Sequence, residues 1–465
     1  MTQTRWSSPF TRRHFLISAG ALSVGGLLAA CAPAAAPAQP QAASGGSADV
    51  NWLLTQDVAE LPPTIIRYWY FETPERIELG KQQEAAFEQM YPNIQVEGST
   101  APEATDNEML VAFIKAGTNS HVHQSVNMED TWYFSRDLLL PLEDLPGFSE
   151  VWERMNPKLN YTWKDGHVYS ISWYSGPMMI FYNGQRVRAA GLNPEQLPET
   201  HSQFLEWAEA LSGDGNWFIN LSPAEEWWRW QFTAYPFYIA ATGSNQLVSE
   251  DGKNAVFNTE QAAQSYDLIH TLFANGYNLT EVLEGNPFFS GQVAANLAGS
   301  SMLANTKRNA PPDFELLVGP VPKPDDSTVE GFPTYNFVRN FALMREQDKQ
   351  GGEADQVNRA AWEFMKYLLS PEQLAADFAA TGNLPPTNDL LTNPLYTEIL
   401  NGFPAADKYA TFADNSYVYD MNTTVGSEIM GILTKSYLDL IFDQQDSVAA
   451  LTAAETAVNE LLAKS

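Results

Sequence analysis

Residues 168–211 read VYSISWYSGPMMIFYNGQRVRAAGLNPEQLPETHSQFLEWAEAL. Val168–Ser172 alternates, and Met178–Tyr182 is a continuous apolar run of buried-strand length. Tyr182-Asn183-Gly184 punctuates that run, and Arg186 to Ala190 makes one or two helical turns that Gly191 ends. Pro198-Glu199-Thr200 then leads into Phe204, Trp207, Ala208 and Leu211, a single apolar stripe at helical spacing. Two strands, a short helix and a longer amphipathic helix follow one another in this stretch.

This block resembles the extracellular solute-binding proteins of ABC importers, in the large group that includes maltose-binding proteins. The residues that carry the resemblance are Asp165-Gly166, Tyr169, Tyr182-Asn183, Ala190-Gly191-Leu192, Pro198, Thr200 and Phe204. His201 stands where the family usually has Trp, and Ser172 where it has Pro, without a change of spacing. Further blocks lie in the family's order. They are Phe87 to Val96, Leu138-Leu139-Leu140-Pro141-Leu142, Phe288 to Ala295, and Thr381-Gly382-Asn383-Leu384-Pro385. The resemblance implies an α/β chain with a two-lobed periplasmic-binding-protein-like fold of type II, its hinged lobes enclosing a ligand cleft. It further implies lobe 1 over 63–172 plus 338–396 and lobe 2 over 173–337 plus 397–465.

The amino-terminal region reads as an export address. Thr11-Arg12-Arg13-His14-Phe15-Leu16 is a twin-arginine signal, and the uncharged run from Ile17 to Ala30 is too short to span a bilayer. Leu28-Ala29-Ala30-Cys31 follows as a lipobox, so residues 1–30 are expected to be removed and Cys31 to carry a lipid. Residues 31–60 are then the lipidated cysteine and a tether, uncharged from Ala32 to Ala48. Cys31 is the single cysteine, and once lipidated it leaves no thiol for a disulfide, a thiolate metal site or a nucleophile. The net charge is −30, and the part beyond residue 30 is more acidic by the three arginines of the signal. That argues against nucleic acid and against direct binding to anionic lipid.

Along the rest of the chain, Thr64 to Tyr70 reads as a strand, Ile77 to Tyr91 as a helix and Pro92 to Glu97 as the start of a second strand. His121 and His123 alternate on the next strand, which raises a metal; no third ligand follows at metal-site spacing, so no metal is expected. Ser222-Pro223-Ala224-Glu225 has the form of an N-cap, a Pro at N1 and a capping-box Glu. The helix it would open carries Trp227, Trp228 and Trp230, with aromatic side chains on two faces. Both faces cannot be core at an exposed helix start, so one set is expected to face a cleft.

Capture of a sugar needs aromatic faces against its C–H surfaces and planar polar groups for its hydroxyls. The resemblance aims several such residues at the cleft: Trp69 and Tyr70 after the first strand, Asn127 and Glu129 after the histidine-bearing strand, and Trp173 and Tyr174 at the crossover. Trp227, Trp228 and Trp230 would join them, with Ser300, Asn336 and Arg339 as polar contacts. Arg339, if it faces the cleft, favours an acidic or phosphorylated solute. The expected function is capture of a small polar solute, foremost a sugar or oligosaccharide, by a monomer held on the outer face of the cell membrane. Delivery to ABC permease subunits follows, with no cofactor and no catalytic residue. Two alternatives stay open: a sensor or adhesin of the same fold, and a secreted glycoside hydrolase. The hydrolase would need two carboxylates across a cleft, for which Glu225-Glu226 is the best pair.

Overall fold

The computed structural model describes residues 56–71, 73–101, 112–163, 165–280, 283, 285–346, 351–419, 423–442 and 445–465. The signal, Cys31 and the tether up to residue 55 lie outside the described residues.

The first sheet is built on β1 (Thr64–Phe71), β2 (Ile94–Ala101) and β3 (Val122–Val126), all parallel. Between β1 and β2 runs α1 (Pro74–Met90), capped by the Thr73 hydroxyl and opened by Pro74, whose missing N–H costs nothing in a first turn. β3 feeds α2 (Asn127–Phe134). The chain returns as β4 (Ser170–Pro177), which continues beyond Ser172, and then changes sheet at Met178 to enter β5 (Met179–Asn183). Every residue of β5 is buried: Ile180 and Tyr182 pack into one core, Met179 and Phe181 into another. Period-two alternation thus feeds both faces of a covered strand, and the segment reads as continuously apolar. β5 lies between β7 (Val293–Ala298) and β8 (Leu316–Gly319), with β6 (Trp217–Ile219) beyond β7.

β9 (Thr334–Leu343) goes back to the first sheet, antiparallel to both β3 and β4, and the short β10 (Ser416–Tyr417) adds beside it. The helix expected from the central stretch forms over His201–Leu211. Its Thr200–Gln203 capping box is complete, and Phe204, Trp207, Ala208 and Leu211 are buried.

The tryptophan segment differs from its expected form. Ser222 to Glu226 are not helical; the helix begins as α3 (Arg229–Thr233) and restarts as α4 (Tyr235–Thr242). The Glu226 carbonyl accepts from the Arg229 N–H at 2.8 Å and its carboxylate pairs with the Arg229 guanidinium, so the first turn closes there instead of on Ser222. Pro236, without an N–H, separates α3 from α4 at Ala234. Two further helices matter below, α5 (Ser301–Asn309) and α6 (Pro371–Thr381). Gly431 lies inside the helix Gly426–Ile441.

Candidate functional site

A cavity of about 400 Å³ opens where the two sheets meet. Thr73, which caps α1, and Arg76 of α1 line it on one side, Phe232, Leu297 and Ser301 on the other, and Tyr174, Gly176 and Phe337 of β4 and β9 between them.

The floor is shaped by an irregularity. β4 pairs Ser172 with Asn340 and Tyr174 with Arg339, so Trp173 is an extra residue in the ladder. A bulge of this kind cancels the usual alternation of neighbouring side chains. Trp173 and Tyr174 accordingly both reach Arg76, whose guanidinium carbon lies 4.4 Å and 5.0 Å from their ring centres. Behind it, Arg76 Nη1 donates to Asp377 Oδ1 at 3.2 Å, with both side chains buried. Burial pushes the Asp377 carboxyl up, and the Arg76 charge pulls it partly back.

Arg339 is buried and donates from Nε to the Tyr174 hydroxyl at 2.7 Å. Asn336 accepts from the Gly176 N–H at 2.9 Å and donates to the Ser416 hydroxyl, tying β4, β9 and β10 together. Ser300 is fully buried and donates to the Ser175 carbonyl at 3.1 Å; its neighbour Ser301 lines the cavity instead.

Of the expected site residues, Tyr174 lines the cavity, Arg339 is bonded to it, and Ser300 and Asn336 brace its floor. Trp173 lies under Arg76, stacked on Phe341. Several others belong elsewhere. Trp69 alternates away from Tyr68 and Tyr70 into a small core with Tyr133 and Tyr169, its ring against His123. Tyr70 packs beneath α1 beside a void of about 20 Å³. Trp230 is 1% exposed, donates its indole N–H to Tyr266 at 2.9 Å, and belongs to the second core because α3 starts late and turns that face inward. Trp227 packs against that core, and its carbonyl accepts from Thr434. Trp228 is half-buried between the Phe232 edge and the Arg229 guanidinium. The aromatic residue that this segment sends into the cavity is Phe232. Asn127 and Glu129 stand in the first turn of α2, and their side chains lie outside the described residues.

Tyr174 is the one cavity-lining residue among the expected site residues, and Arg76 and Phe232 are among those outside that set. Arg76 carried a signal: a cation in the first turn of a helix opposes the helix dipole. His123 of β3 and His121, one residue before the strand, are both hydrogen-bonded and buried. His121 Nδ1 accepts from the Arg67 N–H and its Nε2 lies 2.9 Å from Glu346 and 3.0 Å from the Arg67 guanidinium, while burial lowers His123 to about 4. Among the described residues no group of three potential metal ligands occurs. Glu225 is exposed and Glu226 is taken by Arg229, so this pair does not face itself across a cleft.

A family model described as bacterial extracellular solute-binding protein matches residues 82–401. The sn-glycerol-3-phosphate-binding periplasmic protein of Pectobacterium atrosepticum is 28% identical over 233 residues, which are 48% of this chain and 49% of that protein. Its counterpart in Escherichia coli K12 is 26% identical over 48% of this chain and 50% of its own length. The chain thus spans about half the length of the curated relatives it matches. Among solved structures, the cyclic alpha-maltosyl-1,6-maltose binding protein of Arthrobacter globiformis superposes with a TM-score of 0.73 at 19% identity, over 87% of this chain and 100% of that one. The sugar-binding protein MalE of Xanthomonas citri gives 0.69 at 20% identity, over 86% and 98%. At these identities the superpositions speak to fold alone.

Proposed function

We propose, because the chain belongs to the bacterial extracellular solute-binding proteins and has their two-lobed α/β fold of type II, that it captures a small polar solute and delivers it to the permease of an ABC importer. A sugar or oligosaccharide is the first candidate. The observation that carries this reading is the 400 Å³ cavity between the two sheets, floored by the strands on which the chain changes sheet. Its size fits a small-molecule site, and Phe232 and Phe337 offer apolar faces beside the hydroxyls of Thr73 and Ser301. Solute binding to both walls would favour a closed arrangement over an open one, the differential affinity such a carrier needs.

In this reading the lobes are those expected from sequence, with the crossings placed at Met178 and Thr334 instead of 172/173 and 337/338. These two residues are bonded to each other through the Thr334 hydroxyl and the Met178 carbonyl at 2.7 Å. The protein acts as a monomer, anchored through lipid on Cys31 after twin-arginine export. Among the described residues no helix is long and apolar enough to cross a membrane. The relatives matched are named as binding proteins, and a non-enzymatic role accords with them.

A thermal-shift screen with neutral sugars, sugar acids, sugar phosphates and polyols tests the reading. A solute at a hundred times its Kd adds roughly 2.7 kcal/mol to stability and raises the melting temperature accordingly. A protein whose melting point none of these solutes moves is not a carrier for them. Cys31→Ser tests the anchor: the variant should leave the membrane fraction, and retention there would place the anchor elsewhere.

A further inference from the structure

We propose that the cleft takes a solute bearing one anionic group, a carboxylate or a phosphate, and that Arg76 is the residue that binds it. This rests on the solute-capture reading and names the class of solute.

Three independent features converge on Arg76. The first is its position at the third residue of α1, a helix of 17 residues whose amino end, with Thr73 and Glu75, forms a wall of the cleft. A helix start attracts anions and disfavours a cation, so an arginine there is out of place until an anion joins it. The second is its burial. The residue is 8% exposed, yet among the described residues its guanidinium makes one side-chain hydrogen bond, from Nη1 to Asp377. Nε and Nη2 are left as a donor edge on a residue that lines the cavity. The fork that matches a carboxylate or phosphate is thus held in place before any solute arrives, with Trp173 and Tyr174 fixing its plane.

The third feature is the charge around it. The chain holds 26 Lys and Arg against 56 Asp and Glu. Yet the cleft is lined by Arg76, Arg308 and the single carboxylate Glu75, which pairs with Arg308 at 3.7 Å. Asp377 lies behind Arg76, where it faces the 20 Å³ void rather than the cleft. Counted with Asp377, two arginines meet two carboxylates, so this neighbourhood is neutral in a chain of net charge −30 and does not add to the repulsion of an anion. Asn383 and Ser301, which line the same cavity, offer an amide and a hydroxyl to a sugar or glycerol moiety.

The test is calorimetric titration of the whole exported protein with matched pairs: glucose, glucuronate and glucose 6-phosphate; glycerol, glycerate and glycerol 3-phosphate. An anionic member should bind, with its neutral parent weaker by roughly 10- to 100-fold, the range of a charge-assisted hydrogen bond. The carboxylate and phosphate arms distinguish the two sources of the anion. Arg76→Gln should remove that difference, bringing the anionic member down to the affinity of its neutral parent. Since Arg76 is buried on Asp377, Arg76→Lys serves as the second variant. It keeps the charge without the fork, should stay folded by melting temperature, and should lose part of the preference. A neutral sugar that binds as tightly as its acid and phosphate overturns the proposal and leaves solute capture standing. Equal losses for neutral and anionic partners in both variants also overturn it, since Arg76 would then act only in packing. Absence of binding by every probe overturns the anion proposal, and the wider thermal-shift screen decides solute capture separately.

Discussion

Asn340 donates an amide hydrogen to Asp130 Oδ2 at 2.6 Å, across the junction of β9 with α2. The same carboxylate accepts from the hydroxyls of Ser170, Tyr161 and Ser125, so four segments of the first sheet's rim meet on one fully buried acid.

Burial raises the Asp130 carboxyl from 3.8 to about 6, although its four hydrogen bonds pull the other way. Between those values the folded chain holds a proton that the unfolded chain has released. The stability contributed by this group is therefore full below pH 4 and lost as pH rises through 6. Asp130→Asn should flatten that part of the profile, so melting temperatures at pH 5 and pH 7.5 should differ less than in the wild type. Parallel profiles for the two proteins would show that the group does not titrate in this range.

The two aromatic residues of the α3 segment should separate cleanly. Trp230→Ala removes a fully buried ring and its bond to Tyr266, and should cost about 3–5 kcal/mol of stability in denaturant unfolding. Phe232→Ala removes a ring that lines the cleft, and should weaken solute binding by about 1–2 kcal/mol with a smaller loss of stability. Titration and unfolding of both variants check the assignment, which an exchange of the two phenotypes would reverse.

Gly382 has φ +79°, and a Cβ there would stand 2.7 Å from the Ala304 Cβ. Gly382→Ala should destabilise by about 2–4 kcal/mol, from the backbone conformation and the clash together. Adding Ala304→Gly should recover the Cβ–Cβ share of the clash, less the roughly 1 kcal/mol that a glycine costs inside α5. Denaturant midpoints of both single variants and the double variant measure the shares, and strictly additive losses would remove the clash from the account.

Much of this architecture could be read from local patterns. The alternation in β4, the apolar run of β5 and the stripe on His201–Leu211 each follow from neighbours along the chain. Less of the site was legible, because its geometry depends on registers between distant segments. Nothing near Trp173 in sequence announces that one residue of β4 is unpaired; that is fixed by how β4 meets β9. Trp230 and Trp69 were assigned to the cleft by residue type, and both went to cores once the α3 start and the β1 alternation decided their facing. Ser222 to Glu225 carries every mark of a cap, yet the turn closes on Arg229 because Glu226 engages it directly.

The strand order of the first sheet has a consequence for synthesis. β3 lies between β1 and β9, and Asn340 of β9 is 210 residues beyond Asp130. A nascent chain therefore completes β1, β2 and β3 long before the strand that covers the outer edge of β3 has been made. Until then that edge presents unpaired backbone groups of the kind that recruit other chains. Prematurely terminated products ending before Thr334 should be far more prone to aggregation than the finished protein. The interval between translating β3 and translating β9 is when this chain most needs a chaperone.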